Sequence, residues 1–376
     1  MRFKSDSTWI NCITLIREQK TGSCNFRRKE LKAFALTGTG TLEPVEIPVP
    51  CLTAPTDVLL RVGAVGVCGS DRHYYRQGRI GDQVVHFPFV PGHECSAVVE
   101  KTGADPGVLK PGDRVAVDPA VCCHVCPQCL AGRPHTCLNL KFLGCPDQLS
   151  GALTEYLVMP RECCYPIPDT ISLEEAVLAE PLSIGIYACR LAGSLKGRSV
   201  GILGAGPIGL SVLMESRFSE SGPVYVTDRI DFRVDTAVRH GAAWAGNPER
   251  EDVAEAVLQR ERNGLDVVFE CCGDQEALDQ SLELLKPGGT LVIAGIPEGD
   301  RVSFDINRLR RREITIRNVR RQNDCMKTAL GRLENRRYDI EFMITHTFPP
   351  DDAQQAFDLV SGYRDGVLKT LICFSC

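Results

Sequence analysis

Between Ser199 and Asp228 lies the pattern that most restricts what this chain can fold into. A short apolar run, Ser199–Leu203, is followed by Gly204-Ala205-Gly206-Pro207-Ile208-Gly209, and a second apolar run, Val224–Thr227, ends at Asp228. Alone the hexapeptide says little, because glycine-rich turns are common. Placed directly after a strand it says more. The first glycine permits a tight turn and the second lets the backbone approach a pyrophosphate. The third lets the next helix pack close to the sheet, its N-terminus toward the phosphates. Asp228, nineteen residues beyond Gly209, stands where an acid accepts hydrogen bonds from ribose hydroxyls and repels a 2′-phosphate. The arrangement therefore fits NAD better than NADP, although Arg229 beside the acid works in the opposite direction.

The surrounding texture agrees. From about Ser172 a helical stretch (Leu173 to Leu191) gives way to strand–helix alternation through Asp266–Phe269 and Thr290–Ala294, which argues for a parallel sheet covered on both faces. Between Lys32 and about Pro168 the chain is β-like. Short apolar runs at Val58–Val62 and Cys95–Glu100 alternate with Pro-Gly turns, suiting an irregular antiparallel sheet or barrel. After about Arg317 one more helix (Ala353 to Ser361) and a last strand (Leu368 to Phe374) are predicted. Residues 1–31 are basic and weakly patterned and read as an unstructured extension; Asp6, Glu18 and Glu30 argue against a targeting segment. The net charge of −5 excludes an overall basic footprint for nucleic acid or an anionic membrane. The longest uncharged stretch, Ser199 to Met214, is too short to span a bilayer.

Nineteen cysteines are many for 376 residues, and four fall together as Cys123-x2-Cys126-x2-Cys129-x7-Cys137. Four thiolates from one loop suit a closed, tetrahedral structural zinc site. A redox C-x-x-C reading leaves two of the four without a purpose. Elsewhere Cys68 follows an apolar strand, and His93-Glu94 follows the turn at Pro91-Gly92. Singly, the cysteine reads as core and the histidine as a satisfied surface or core residue. Jointly, a thiolate, an imidazole and a carboxylate resemble an open catalytic zinc site with three protein ligands.

These elements occur together in a recognisable order. Gly66-Val67-Cys68-Gly69-Ser70-Asp71-Arg72-His73-Tyr74-Tyr75, Gly92-His93-Glu94, the four-cysteine lobe and Gly204-x-Gly206-x-x-Gly209 resemble the zinc-dependent medium-chain dehydrogenases/reductases. Tyr74, Gly78-Arg79-Ile80-Gly81 and Ala179-Glu180-Pro181-Leu182-Ser183 resemble the polyol (sorbitol/xylitol) branch. The resemblance covers roughly residues 32–376. It implies an α/β fold in which a GroES-like irregular β-barrel catalytic domain (32–178) is joined to a doubly wound Rossmann NAD-binding domain (179–318). A C-terminal segment (319–376) then returns to the catalytic domain.

Carried over by position, the resemblance implies a catalytic zinc held by Cys68 and His93, with Glu94 and Glu180 sharing the third place. The structural zinc falls to Cys123, Cys126, Cys129 and Cys137. Gly204, Gly206, Pro207, Ile208, Gly209, Asp228 and Arg233 are implied at the NAD, and Tyr74, Glu180 and Arg320 at the substrate. The implied reaction moves hydride from a secondary alcohol, a polyol or sugar alcohol, to NAD and leaves a ketone, with Ser70 and His73 relaying the proton. Asp71 reads as structural. One departure concerns specificity: where sorbitol dehydrogenases carry Arg-Tyr, this chain has Arg320-Arg321, a pair able to grip a carboxylate or phosphate. Another vicinal diol or amino alcohol (butanediol, threonine), or a nucleotide-binding relative without activity, are the alternative readings. The run Arg308, Arg310, Arg311, Arg312 reads as a solvated face. A homodimer or homotetramer in the cytoplasm, without nucleic-acid or membrane partners, completes the expectation.

Overall fold

Nine of the ten residues of the strand Asp57–Gly66 are buried, as befits the centre of a sheet, and the strand pairs along both its edges. In the computed structural model, which describes residues 29–336 and 339–374, it organises one of two compact units. This unit comprises the described residues up to Cys123, Asn139–Leu178 and Ile344 onward. Its main sheet runs Cys164–Pro166, Arg114–Val117, Glu94–Thr102, Asp57–Gly66, Lys369–Cys373, Ile344–Phe348, with Tyr156–Pro160 also on the central strand. All neighbours are antiparallel except the last pair. One continuous apolar core, including Leu36, Leu60, Val115, Leu153, Met159 and Phe357, fills the unit.

The second unit comprises His124–Leu138 and Ala179–Met343. Its six strands are parallel, in the order Trp244–Gly246, Val224–Thr227, Val200–Leu203, Leu265–Glu270, Leu285–Ile293, Thr315–Asn318. In chain sequence that is 3-2-1-4-5-6, the order of a doubly wound dinucleotide-binding sheet, whose ligand crevice lies at the carboxyl ends where the winding reverses. The reversal falls between Val200–Leu203 and Leu265–Glu270, directly at Gly204.

The structure differs from the sequence expectation in three places. Residues His124–Leu138, which carry three of the four lobe cysteines, and residues 319–343, expected with the first domain, fall in the second unit. The sheet has two strands the apolar pattern did not show: Trp244–Gly246 has three residues and Thr315–Asn318 is largely exposed, so neither carries a long hydrophobic run. The single predicted helix from Leu173 is two, Leu173–Val177 and Ala179–Ala192. The N-terminal extension lies almost wholly outside the described residues.

The arginine run is also more than a solvated face. The Arg312 guanidinium donates to the carbonyls of Leu282, Glu283 and Leu285 at 2.9–3.3 Å, where the helix Gln275–Leu284 ends. A cation there satisfies orphan carbonyls and opposes the negative end of the helix dipole. Arg312→Ala is expected to cost about 1 kcal/mol and lower the melting temperature by about 2–4 °C. Arg310→Ala, whose guanidinium is exposed, should change it little; differential scanning calorimetry compares the two.

Candidate active site and metal centres

The register Gly66↔Glu94 sets the geometry of the first cluster. Because the two central strands are antiparallel, the exit of one lies beside the entry of the other. Cys68 and His93, far apart in sequence, therefore stand at one end of the sheet. Cys68 caps the helix Gly69–Gln77, and the sulfur, imidazole and carboxylate ligand atoms of Cys68, His93 and Glu94 all lie within 4.8 Å of one another. Gly66 must be glycine: a Cβ there would come within 2.4 Å of a Glu94 oxygen.

Asp71, expected to be structural, organises this cluster. One carboxylate oxygen accepts from the Cys68 amide at 3.0 Å. The other accepts from the Gly92 amide at 3.2 Å and faces His93 Nδ1 at 3.6 Å. His93 Nε2 is turned toward Ser70 Oγ, 3.5 Å away. A carboxylate behind an imidazole fixes its tautomer and aims the other nitrogen at a metal. Burial alone would push the His93 pKa down, but Asp71 and Cys68 outweigh it and hold it well above the ordinary value.

Sequence reasoning missed Lys369. Its ammonium, 2 % exposed, bonds both Glu94 oxygens at 2.6 and 2.8 Å and the Val67 carbonyl at 3.3 Å, while Glu94 is fully buried. The pair explains how a carboxylate survives in the core. The signal was available: a lysine inside the last strand, all of whose residues are buried, is anomalous without a buried acid. Tyr74, expected at the substrate, is buried; its hydroxyl donates to Gln83 Oε1 at 3.2 Å and meets Cys145 Sγ at 3.8 Å. His73 is half-buried on the same helix. Glu180 belongs to the second unit, buried in the first turn of the helix Ala179–Ala192. Arg320 is exposed and Arg321 half-buried in the turn after the strand Thr315–Asn318.

In the lobe, the Cys123, Cys126, Cys129 and Cys137 sulfurs lie within 4.8 Å of one another, with Cys126 Sγ at 3.6 Å from Cys129 Sγ and 3.8 Å from Cys137 Sγ. Zinc–sulfur bonds of about 2.3 Å in a tetrahedron require sulfur separations of about 3.8 Å. The donor set therefore fits zinc. Cys122, the competing register, points instead to the Ala120 carbonyl at 3.9 Å.

At the nucleotide loop, Gly204 has φ +99°, and a Cβ on Gly209 would come within 1.8 Å of the Gly204 carbonyl oxygen. A Cβ on Gly206 meets only Arg233 Nη1, at 3.5 Å, so the backbone there is open to a phosphate. Asp228 accepts from the Ala205 and Ile230 amides at 2.7 and 2.9 Å and faces Arg233 Nη1 at 3.9 Å. Arg229 is turned away, paired with Asp274 at 3.0 Å and Glu276 at 2.6 Å. The cation that would have favoured a 2′-phosphate is thus committed elsewhere.

Two family profiles match the chain: the alcohol dehydrogenase GroES-like domain over residues 54–169 and the zinc-binding dehydrogenase domain over residues 207–335. Sorbitol dehydrogenase of Bacillus subtilis is 32% identical over 346 residues, covering 92% of this chain and 97% of its own. The Gallus gallus sorbitol dehydrogenase is 38% identical over 336 residues, covering 88% and 93%. Among solved structures, an oxidoreductase/dehydrogenase of unknown specificity from Escherichia coli superposes with a TM-score of 0.86 at 31% identity, covering 92% of this chain and 99% of that one. The chain belongs to the zinc-dependent medium-chain dehydrogenases, in their polyol dehydrogenase branch. Its two units are accordingly a GroES-like domain and a Rossmann domain, and zinc and NAD(H) are the cofactors of this family of enzymes.

Removing Lys369 from this dehydrogenase leaves Glu94 a buried, unpaired charge. Lys369→Met is expected to cost about 3 kcal/mol, with Lys369→Arg recovering most of it. Urea unfolding of the zinc-loaded protein measures both, and equal midpoints for Met and wild type would show the pair to be dispensable.

Proposed function

We propose that this protein oxidises a secondary hydroxyl of a polyol or sugar alcohol to the ketone, with NAD as hydride acceptor, and catalyses the reverse reduction. The supporting observation is the convergence of Cys68, His93 and Glu94 at one sheet end beside Ser70, in a chain whose relatives include sorbitol dehydrogenases. In this reading those three residues hold the catalytic zinc, and Cys123, Cys126, Cys129 and Cys137 the structural one. Zinc bound there supplies Lewis-acid polarisation of a hydroxyl, and NAD supplies the hydride acceptor.

The chain's own residues do the rest. Asp71 fixes the His93 ring. Lys369 holds Glu94 in place and cancels its charge. Ser70 Oγ takes the hydroxyl proton of the substrate and passes it outward by way of His73, on the next turn of the same helix. Glu180, Tyr74 and Arg320 are assigned to substrate hydroxyls, which a plain alkyl alcohol would leave unmatched. Gly204, Gly206, Pro207, Ile208 and Gly209 cradle the pyrophosphate of NAD, and Asp228 with Arg233 receives the adenosine ribose.

A homodimer or homotetramer formed through the nucleotide-binding sheet extends this reading. The strand Thr315–Asn318 is the outer strand of that sheet, and three of its four residues are exposed; an exposed edge of this kind is a template for a second copy. A cytoplasmic location is part of this reading, because the Cys123–Cys137 cluster has the spacing of a zinc site and a reducing compartment keeps such thiols available to a metal. No described helix is long and apolar enough to cross a membrane.

Four measurements test the reading. NADH formation across polyols, diols and sugar acids should be fastest with polyols; good diol turnover without polyol turnover would overturn the substrate class. Ser70→Ala should lower kcat by about 10²-fold with NADH affinity unchanged, and Cys68→Ala should abolish turnover and reduce bound zinc from two equivalents to one by mass spectrometry. Asp228→Ala should lower kcat/KM for NAD by about 10-fold or more and narrow the preference over NADP, as read from initial rates with each cofactor.

A further inference from the structure

The four-cysteine lobe does more than fold on itself. Its last turn carries His135, which is 4 % exposed although it sits in a surface loop. The His135 ring packs edge-on against Tyr187 at 5.2 Å, and Nε2 lies 3.0 Å from the Tyr187 hydroxyl. A second tie comes from Asn323, whose Nδ2 donates to the Gly132 carbonyl of the lobe at 3.1 Å. Tyr187 and Arg190 occupy one face of the helix Ala179–Ala192, three residues apart. While Tyr187 takes the lobe, Arg190 takes the chain around Asn323. Its guanidinium donates to the Asn323 and Asp324 carbonyls, both at 3.3 Å, and to Thr328 Oγ1 at 3.0 Å.

The segment held in this way is unusual. Arg321 and Asp324 both have left-handed backbones, with φ of +55° and +53°. Non-glycine residues adopt that conformation only where their surroundings fix it. The segment follows the strand Thr315–Asn318 in an all-parallel sheet, so it stands at the carboxyl edge. That is the edge from which Gly204–Gly209 and Asp228 also emerge, and where a dinucleotide lies. The lobe residues His124–Leu138, the helix and the edge segment all belong to the same compact unit.

We propose that His135 and Asn323 are positioning residues through which the four-cysteine lobe holds the 320–324 turn in shape at the nucleotide edge. On this account the lobe's metal acts on cofactor affinity, in addition to stability, without touching the cofactor. The proposal rests on the dinucleotide reading of the second unit. It goes beyond that reading in giving the lobe a task at the cofactor site.

The test uses the full zinc-loaded chain and four variants: Asn323→Ala, Tyr187→Phe, His135→Ala and His135→Gln. None alters a cysteine. Zinc content by mass spectrometry, NADH affinity by fluorescence titration, and hydrogen exchange of peptides covering 319–326 are measured for each. Asn323→Ala is expected to keep two zinc equivalents, weaken NADH about three- to tenfold, the worth of a lost hydrogen bond, and speed exchange in 319–326. Tyr187→Phe, which leaves the ring in place, should show a smaller shift of the same sign. His135→Gln should recover part of what His135→Ala loses. Asn323→Ala with wild-type NADH affinity and wild-type exchange at full zinc content would overturn the proposal. If the wild-type chain itself bound no NADH, the reading of the nucleotide site would fail first, and the exchange comparison would still decide whether the lobe holds the turn. Loss of the lobe zinc in His135→Ala, with Asn323→Ala unaffected in every readout, would assign His135 to metal retention alone and likewise overturn it.

Discussion

A buried ammonium on a buried carboxylate underlies the first unit's chemistry. Glu94 is fully enclosed, immediately after the imidazole that a metal needs. An isolated carboxylate in that position would either take up a proton or destabilise the fold by several kcal/mol. Lys369 removes the difficulty, and the sheet puts it there. The register Leu371↔Gly66 brings the last strand alongside the central one, so a residue near the C-terminus faces the exit of a strand three hundred residues earlier. The closing strand is therefore part of the site, and its pairing and the cluster's charge balance stand or fall together.

Much of this was legible in the sequence. The glycine hexapeptide and Asp228 each perform a local task that a few neighbouring residues can signal, as do the tetracysteine spacing and the Cys68 and His93-Glu94 elements. Gly209 shows why: with the Gly204 oxygen 1.8 Å from where its Cβ would stand, no other residue fits. Long buried strands such as Asp57–Gly66 were legible for the same reason, since burial leaves a continuous apolar run.

What stayed hidden depends on partners distant in sequence. Lys369 reads as an oddity until Glu94 is beside it. Asp71 reads as structural, and only the folded chain shows that one of its oxygens serves His93 and Gly92. Arg229 reads as a possible phosphate ligand until Asp274 and Glu276 are found holding it. The strands Trp244–Gly246 and Thr315–Asn318 escaped because outer strands bury little, so the alternation that betrays a strand is absent. The lobe's allegiance to the second unit rests on His135, Tyr187 and Asn323, three polar residues whose spacing carries no pattern.

The charge arithmetic of the first cluster also bears on reactivity. Cys68 as thiolate and Glu94 as carboxylate would together neutralise a divalent cation. Lys369, bonded to both oxygens of Glu94, returns one positive charge at contact distance, and the buried Asp71 carboxylate behind His93 offsets it, so the assembly with a divalent ion would be close to neutral. A divalent ion held there would favour the deprotonated form of a hydroxyl bound to it, and Lys369 would keep the Glu94 charge from cancelling that effect. Ser70 Oγ, which the proposed reaction uses as its proton acceptor, stands 3.5 Å from His93 Nε2. In the proposed reaction Lys369 would thus contribute twice, first by permitting a carboxylate in the core and then by drawing that carboxylate's charge away from a bound metal. Arginine would preserve both effects, whereas methionine would preserve neither.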